Sequence, residues 1–171
     1  MSDFALLFSA MSLLKKSLLR EELLSTLKSQ LEVAERAHQA SIEGATHEEA
    51  KPENDKDTRA LEQSYLARGQ ALRLIELKES VTWVQSTPVG QLDPGAPCSL
   101  GALVQVEFDD GQAETYWLAP AGGGTRLAQG KVQVLTPKSP LGRALIGNTA
   151  GACCEAQVGG RLRSLELLRV S

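Results

Sequence analysis

Through residues 13–43 the apolar positions recur at helical spacing, with Leu24, Leu27, Leu31 and Ala34 separated by three, four and three residues. That spacing is the seam of a helix packing against one other helix, and so narrow a stripe leaves the remaining surface to solvent. Lys15, Lys16, Arg20, Glu21, Glu22, Lys28, Glu32, Glu35 and Arg36 fill the other positions with mixed sign, as a solvated face does. A second heptad-compatible series follows in Leu61, Tyr65, Leu72 and Ile75, with Arg68 in the intervening slot, and strong helix formers run on to Glu79. Gly44 and Pro52 lie in the short turn between the two series, so the pattern predicts two helices folded back antiparallel on each other. At ~1.5 Å per residue the first arm projects about 45 Å. The alternative is one long helix dimerising with another chain. It is disfavoured because Pro52 removes a backbone donor and the acidic run around it has no apolar seam. Segment 4–14 is apolar on more than one face, as expected where the base of a hairpin docks on a second domain.

After Ser80 the pattern changes to short β-prone runs, predicting strands at 81–84, 102–108, 114–118 and 131–135 and a last one at 163–170, mostly antiparallel. Asp109-Asp110-Gly111 supplies the positive-φ preference of a tight hairpin turn, and 121–124 reads as a mobile surface loop. Ser139 as cap, Pro140 at the first helical position and Gly147 past the end predict one short helix. Trp83, Tyr116 and Trp117 alternate with apolar residues and are read mainly as core, with a partner-facing hot spot as the alternative. Pro52 is the only proline before residue 81, and the other six follow it. The chain is therefore read as α+β in two modules, an antiparallel helical hairpin over 1–80 and a small β domain with one short helix over 81–171.

Charge narrows the function classes. A net charge of -3 and a pI near 5.5 argue against direct binding to a phosphate backbone. The longest apolar stretch, 4–14, is broken by Ser9 and Ser12 and falls short of the ~20 residues of a spanning helix, so no membrane association is expected. Asp3 precedes that run and Lys15 and Lys16 follow it, unlike a secretory signal, and a cytoplasmic location is expected. Cys98, Cys153 and Cys154 are odd in number and lack Cys-x-x-Cys spacing, and His38 and His47 lie far from them. They are read as buried or idle thiols, with no metal site or disulfide framework. The distinctive chemistry sits in the turn at about 44–58, where Glu48, Glu49, Glu53, Asp55 and Asp57 place five carboxylates within ten residues. At the end of a hairpin they are carried toward a metal or a basic surface on another molecule. An isolated acidic turn of this kind otherwise only keeps itself solvated. Asn54 is a candidate cap for the second helix, with Asp55, Asp57 and Thr58 as alternatives. No catalytic residue of the chain's own is identified.

Two motif groups bear a family likeness. Glu53-Asn54, then Glu62-Gln63 and Gly69, form one series; Ser139-Pro140-Leu141-Gly142, Ala144-Leu145, Gly147, Gly151 and Gly159-Gly160 form the other. With them the chain resembles the bacterial Gre transcription elongation factors, which join an N-terminal antiparallel coiled coil to a C-terminal FKBP-like domain. The resemblance implies a monomer that binds bacterial RNA polymerase at the rim of its secondary channel through the C-terminal domain. The coiled coil would then be inserted toward the active centre, with nucleic acid touched only through the elongation complex. It also implies acidic tip residues beside a Mg²⁺ shared with the polymerase, with no cofactor held stably by the chain, and cleavage of backtracked RNA by the polymerase itself. Members that stimulate cleavage have Asp, Leu and Lys where this chain has Ala50, Lys51 and Pro52, and Glu53 is the residue that carries over. Glu49, Asp55, Asp57 and Glu48 are its supporting acids, and Ser139, Pro140 and Arg143 are the candidate polymerase contacts. A secondary-channel regulator that does not stimulate cleavage stands beside this reading. Other classes are a dimeric coiled-coil scaffold unrelated to transcription and a peptidyl-prolyl isomerase. The isomerase would need an aromatic-lined pocket that 4% aromatic residues poorly supply. Gre relatives of the nucleoside-diphosphate-kinase-regulator type have shorter arms.

Overall fold

The computed structural model describes residues 2–46 and 58–171, with side chains from 16 to 43 and, except at 63, from 62 onward. Its elements are helices α1 (Ser2–Thr46) and α2 (Thr58–Gln85), strands β1 (Leu103–Phe108), β2 (Ala113–Leu118), β3 (Arg126–Leu127) and β4 (Val132–Leu135), helix α3 (Pro140–Leu145), and strands β5 (Cys153–Val158) and β6 (Arg161–Val170). Contacts divide the chain into two compact units, one of Ser25–Thr82 and one joining Met1–Leu24 to Trp83–Ser171.

The first unit is an antiparallel helix pair, tied across by an ion pair between Lys78 Nζ and Glu35 Oε1 at 3.3 Å. On α1 the predicted seam is observed: Leu27 is buried, Leu24, Leu31 and Ala34 are half-buried, and His38 and Ser41 continue the same three-four spacing. On α2 the seam differs from the prediction. It runs through Ala67, Gln70, Leu74, Leu77 and Val81, while Tyr65, Arg68, Leu72 and Ile75 face solvent and the side chain of Leu61 lies outside the described residues. The two registers differ by two positions, which on a helix is roughly 200° of rotation. The true seam was disguised because small or polar side chains occupy part of it. His38 Nδ1 and Gln70 Oε1 are buried there without a hydrogen-bond partner among the described residues.

The strand predicted at 81–84 is instead the last turn of α2, with Val84 fully buried and Trp83 46% exposed on the helix surface. Its β-branched residues favour a strand locally, but burial of Val84 on the helix outweighs that preference. Trp83 therefore leaves the predicted core, whereas Tyr116 and Trp117 belong to it.

In the second unit six strands form one sheet in the order β3-β4-β2-β1-β6-β5, antiparallel except for the parallel pair β2 and β4. Val104, Val106, Phe108, Tyr116, Leu118, Leu165 and Leu167 form the core on the side covered by Leu141 and Leu145 of α3. Trp117 and its register partner Val134 are also fully buried but lie outside that core, so β2 is covered on both faces. The base of α1 belongs to this unit. Leu23, fully buried, packs on Gly122, and Glu22 accepts a hydrogen bond from the Ala128 N–H at 3.0 Å. The predicted mobile loop is pinned: Ala121 is buried and the Gly124 N–H donates to Val134 O at 2.9 Å.

Three turns organise this unit. Asp109-Asp110-Gly111 closes β1 on β2 as predicted, with the Gly111 N–H donating to Phe108 O at 2.8 Å. Gly159 and Gly160, at φ 60° and 80°, make the two-residue β5–β6 turn, whose backbone twist requires positive φ at both positions. The turn before β4 instead places Ala128 (φ 51°) and Gln129 (φ 58°) in the left-handed region. A non-glycine residue there costs ~1 kcal/mol. Gln129 is exposed and makes no hydrogen bond among the described residues, so Gln129→Gly is expected to stabilise the unit by about 0.5–1 kcal/mol. An unchanged urea midpoint would contradict that conformation.

Candidate functional site

Of the residues singled out in the sequence, Glu48, Glu49, Glu53, Asn54, Asp55 and Asp57 lie outside the described residues. The described helices on either side, α1 ending at Thr46 and α2 beginning at Thr58, run antiparallel in the unit Ser25–Thr82, so the acidic segment joins them.

The three C-terminal candidates are brought together on α3. Ser139 caps the helix: its Oγ accepts from the Gly142 N–H at 3.0 Å and donates to Thr136 O at 2.8 Å. Pro140 takes the first helical position, where a missing N–H costs nothing. Leu141, Gly142 and Leu145 turn inward, which leaves Pro140, Arg143 and the helix-ending Ile146 exposed at successive three-residue intervals. Such residues share one side of a helix, so the surface is a ridge with one cation beside two apolar groups. Gly142 is essential to its placement. A Cβ there would fall inside the van der Waals envelope of the Thr136 carbonyl oxygen, which already accepts bonds from the Ser139 N–H and Oγ.

A second charged site was not anticipated. Where the 109–111 turn meets the β5–β6 turn, a groove of about 710 Å³ is lined by Asp109, Asp110, Arg161, Leu162 and Arg163 among others. Arg163 donates through Nε and Nη2 to Asp109 Oδ1 at 3.1 and 3.0 Å, pairs with Asp110 Oδ1 at 2.6 Å, and stacks 4.3 Å from the Phe108 ring centroid. The Gln112 N–H and then Arg163 hold the Asp110 carboxyl below its ordinary range. Arg163 in turn is held more firmly protonated by Asp110 and Asp109. The Asp-Asp-Gly turn motif signalled the bend but not the arginine, which comes from 54 residues away.

Comparison with known proteins adds the family. No family model matches the chain. It is 30% identical over 136 residues to a protein named transcription elongation factor GreA from Methylococcus capsulatus, covering 79% of this chain and 81% of that one. A GreA of the same description from Verminephrobacter eiseniae is 31% identical over 100 residues, and there the match covers 58% of this chain and 61% of the relative. Among solved structures, GreA factor homolog 1 of Thermus thermophilus aligns with 86% of this chain and 94% of its own, at 18% identity and TM-score 0.39. A GreA/GreB elongation factor from Nitrosomonas europaea aligns with 63% and 89%, at 13% identity and TM-score 0.36.

Proposed function

The chain belongs to the Gre family of transcription elongation factors, and from that membership we propose that it acts on RNA polymerase and modulates transcript elongation. The observation that carries this reading is the GreA match over four-fifths of both chains, joined to an antiparallel helix pair whose connecting segment holds five carboxylates. In this proposal the α3 ridge of Pro140, Arg143 and Ile146, with Ser139 at its head, docks on the polymerase. The acidic segment enters the secondary channel. A carboxylate from Glu53 supplies a hard oxygen ligand for the polymerase's own Mg²⁺, with Glu49, Asp55, Asp57 and Glu48 adding negative potential around it. The chain is a monomer in the cytoplasm and performs no reaction itself.

A second reading is favoured by a specific departure in the sequence, Ala50, Lys51 and Pro52 where cleavage-stimulating members carry Asp, Leu and Lys. With one metal-facing carboxylate missing, the chain would occupy the channel and alter pausing or nucleotide entry without stimulating cleavage. Stalled, backtracked complexes of the cognate polymerase separate the two. In the first reading the wild type shortens the transcript, and Glu53→Ala lowers the rate by roughly 10²-fold, as loss of one charge-stabilising group does, while polymerase affinity is unchanged. Absence of cleavage with displacement of an authentic Gre factor identifies the second. Absence of both effects overturns the proposal.

A further inference from the structure

Strand β5 is a free edge of the sheet: it pairs with β6 and no other strand. On β6, Leu167 bonds toward β5 through Ala152 O, whereas Ser164 bonds toward β1 through the Asp109 N–H. Backbone direction alternates along an antiparallel strand, so Leu165 and Arg163 also turn to β5, where their partners are Cys154 and Ala156. The N–H and C=O groups of Cys153, Glu155 and Gln157 consequently point outward, with no partner among the described residues. The other edge, β3, is only two residues long, a common protection against edge pairing. β5 has six residues, no proline, no lysine and a single charge.

That charge lies on a surface where carboxylates predominate, with Arg169, opposite Gln105 on β1, as a cation on the same face. Cys153, Glu155 and Gln157 are exposed on the sheet face away from α3, where Glu166 stands directly opposite both Cys153 on β5 and Glu107 on β1. Glu155, opposite Ser164, is the diagonal neighbour of Glu166. Like charges opposite one another across strands are destabilising, and none of these three carboxylates makes an ion pair among the described residues. Self-pairing through these outward groups, with residue 153 opposite residue 157, would set Glu155 against its own copy beside this face, which disfavours a second copy as the occupant.

We infer that the β5 edge receives an extended segment of the polymerase that carries lysine or arginine opposite Glu155. It would add a strand through the outward backbone groups of residues 153, 155 and 157. Strand addition draws affinity from main-chain hydrogen bonds and specificity from alternate side chains, here a cation on the acidic face and small apolar groups beside Ala156 and Val158. This rests on the polymerase reading above and adds a second contact to the one proposed for the α3 ridge. The test is polymerase binding by interferometry for wild type, Glu155→Pro and Glu155→Lys, with hydrogen exchange of the 153–158 segment. Proline removes only an outward N–H, as edge strands tolerate, and lysine keeps the backbone donor while reversing the charge. Each variant is expected to bind roughly tenfold more weakly, and the segment is expected to be protected in the wild-type complex. Unchanged affinity in both variants without protection overturns the edge inference and leaves the polymerase reading intact. A wild type that does not bind polymerase overturns both. A wild-type dimer dispersed by Glu155→Pro overturns it in favour of a second copy.

Discussion

Replacing Gly142 by alanine is expected to destabilise the unit containing α3 by about 3 kcal/mol, at the upper end for an added methyl group in a packed site. The added Cβ has nowhere to go. Its nearest neighbour is the Thr136 carbonyl oxygen, with Ser139 Oγ at 2.9 Å, and both are backbone or capping groups rather than flexible side-chain ends. Thr136 O cannot withdraw without breaking bonds from the Ser139 N–H and Oγ, and Ser139 Oγ cannot withdraw without releasing the Gly142 N–H it caps. Leu141 and Leu145 leave the core if the helix shifts as a whole. Urea denaturation followed by Trp117 fluorescence reads the loss directly. Polymerase affinity should fall with it if the α3 ridge is the docking surface, since Pro140 and Arg143 lose their placement. A variant within about 1 kcal/mol of wild type would mean that the Thr136–Ser139 turn yields to the methyl group.

That same stretch was the most legible part of the chain, because a cap, a first-turn proline and a helix-ending glycine are local chemistry that tertiary contacts seldom override. The seam of α1 was legible for a related reason: four apolar residues held one three-four-three spacing. On α2 two registers competed. Tyr65, Leu72 and Ile75 form one apolar series and Ala67, Leu74, Leu77 and Val81 another, with Gln70 in its intervening slot; the second one packs, and the two are too alike in hydrophobicity for spacing alone to choose between them. β5 went unread since Cys153-Cys154-Glu155-Ala156-Gln157 has little β preference by itself. Gly159-Gly160 before the predicted last strand was the available signal, being a two-residue hairpin turn. Of the candidate site, the charges of the acidic segment were legible and their geometry was not. The Arg163 corner depends on a pairing between β1 and β6 that no local pattern encodes.

The second large effect concerns Lys16, which the sequence placed on a solvated face and the structure buries completely. Its Nζ donates to Gly90 O at 2.9 Å, and one turn later Arg20 Nη1 donates to Thr87 O at 3.3 Å, so the base of α1 grips the segment that follows α2 with two cations. No ion pair compensates the Lys16 ammonium among the described residues. Burial disfavours its charged form and lowers its pKa from 10.5 to about 8. Because the folded value lies below the unfolded one, the unfolded chain binds more protons between about pH 8 and pH 10.5, and the unfolding free energy must rise with pH across that window. Below pH 8 both states hold the proton and the folded one bears the full cost of a buried charge. The shift corresponds to as much as about 3 kcal/mol. Lys16→Met, of similar length and without charge, is expected to be more stable than wild type by roughly 1–3 kcal/mol at pH 7, since the exposed Gly90 carbonyl can turn to water. The advantage should shrink as pH approaches 10.5. Urea unfolding of both proteins at pH 7 and pH 10 measures the difference of differences, in which every other titrating group cancels. Parallel curves would mean that the Lys16 ammonium reaches water in solution, and the polar grip of α1 on this segment would then rest on Arg20.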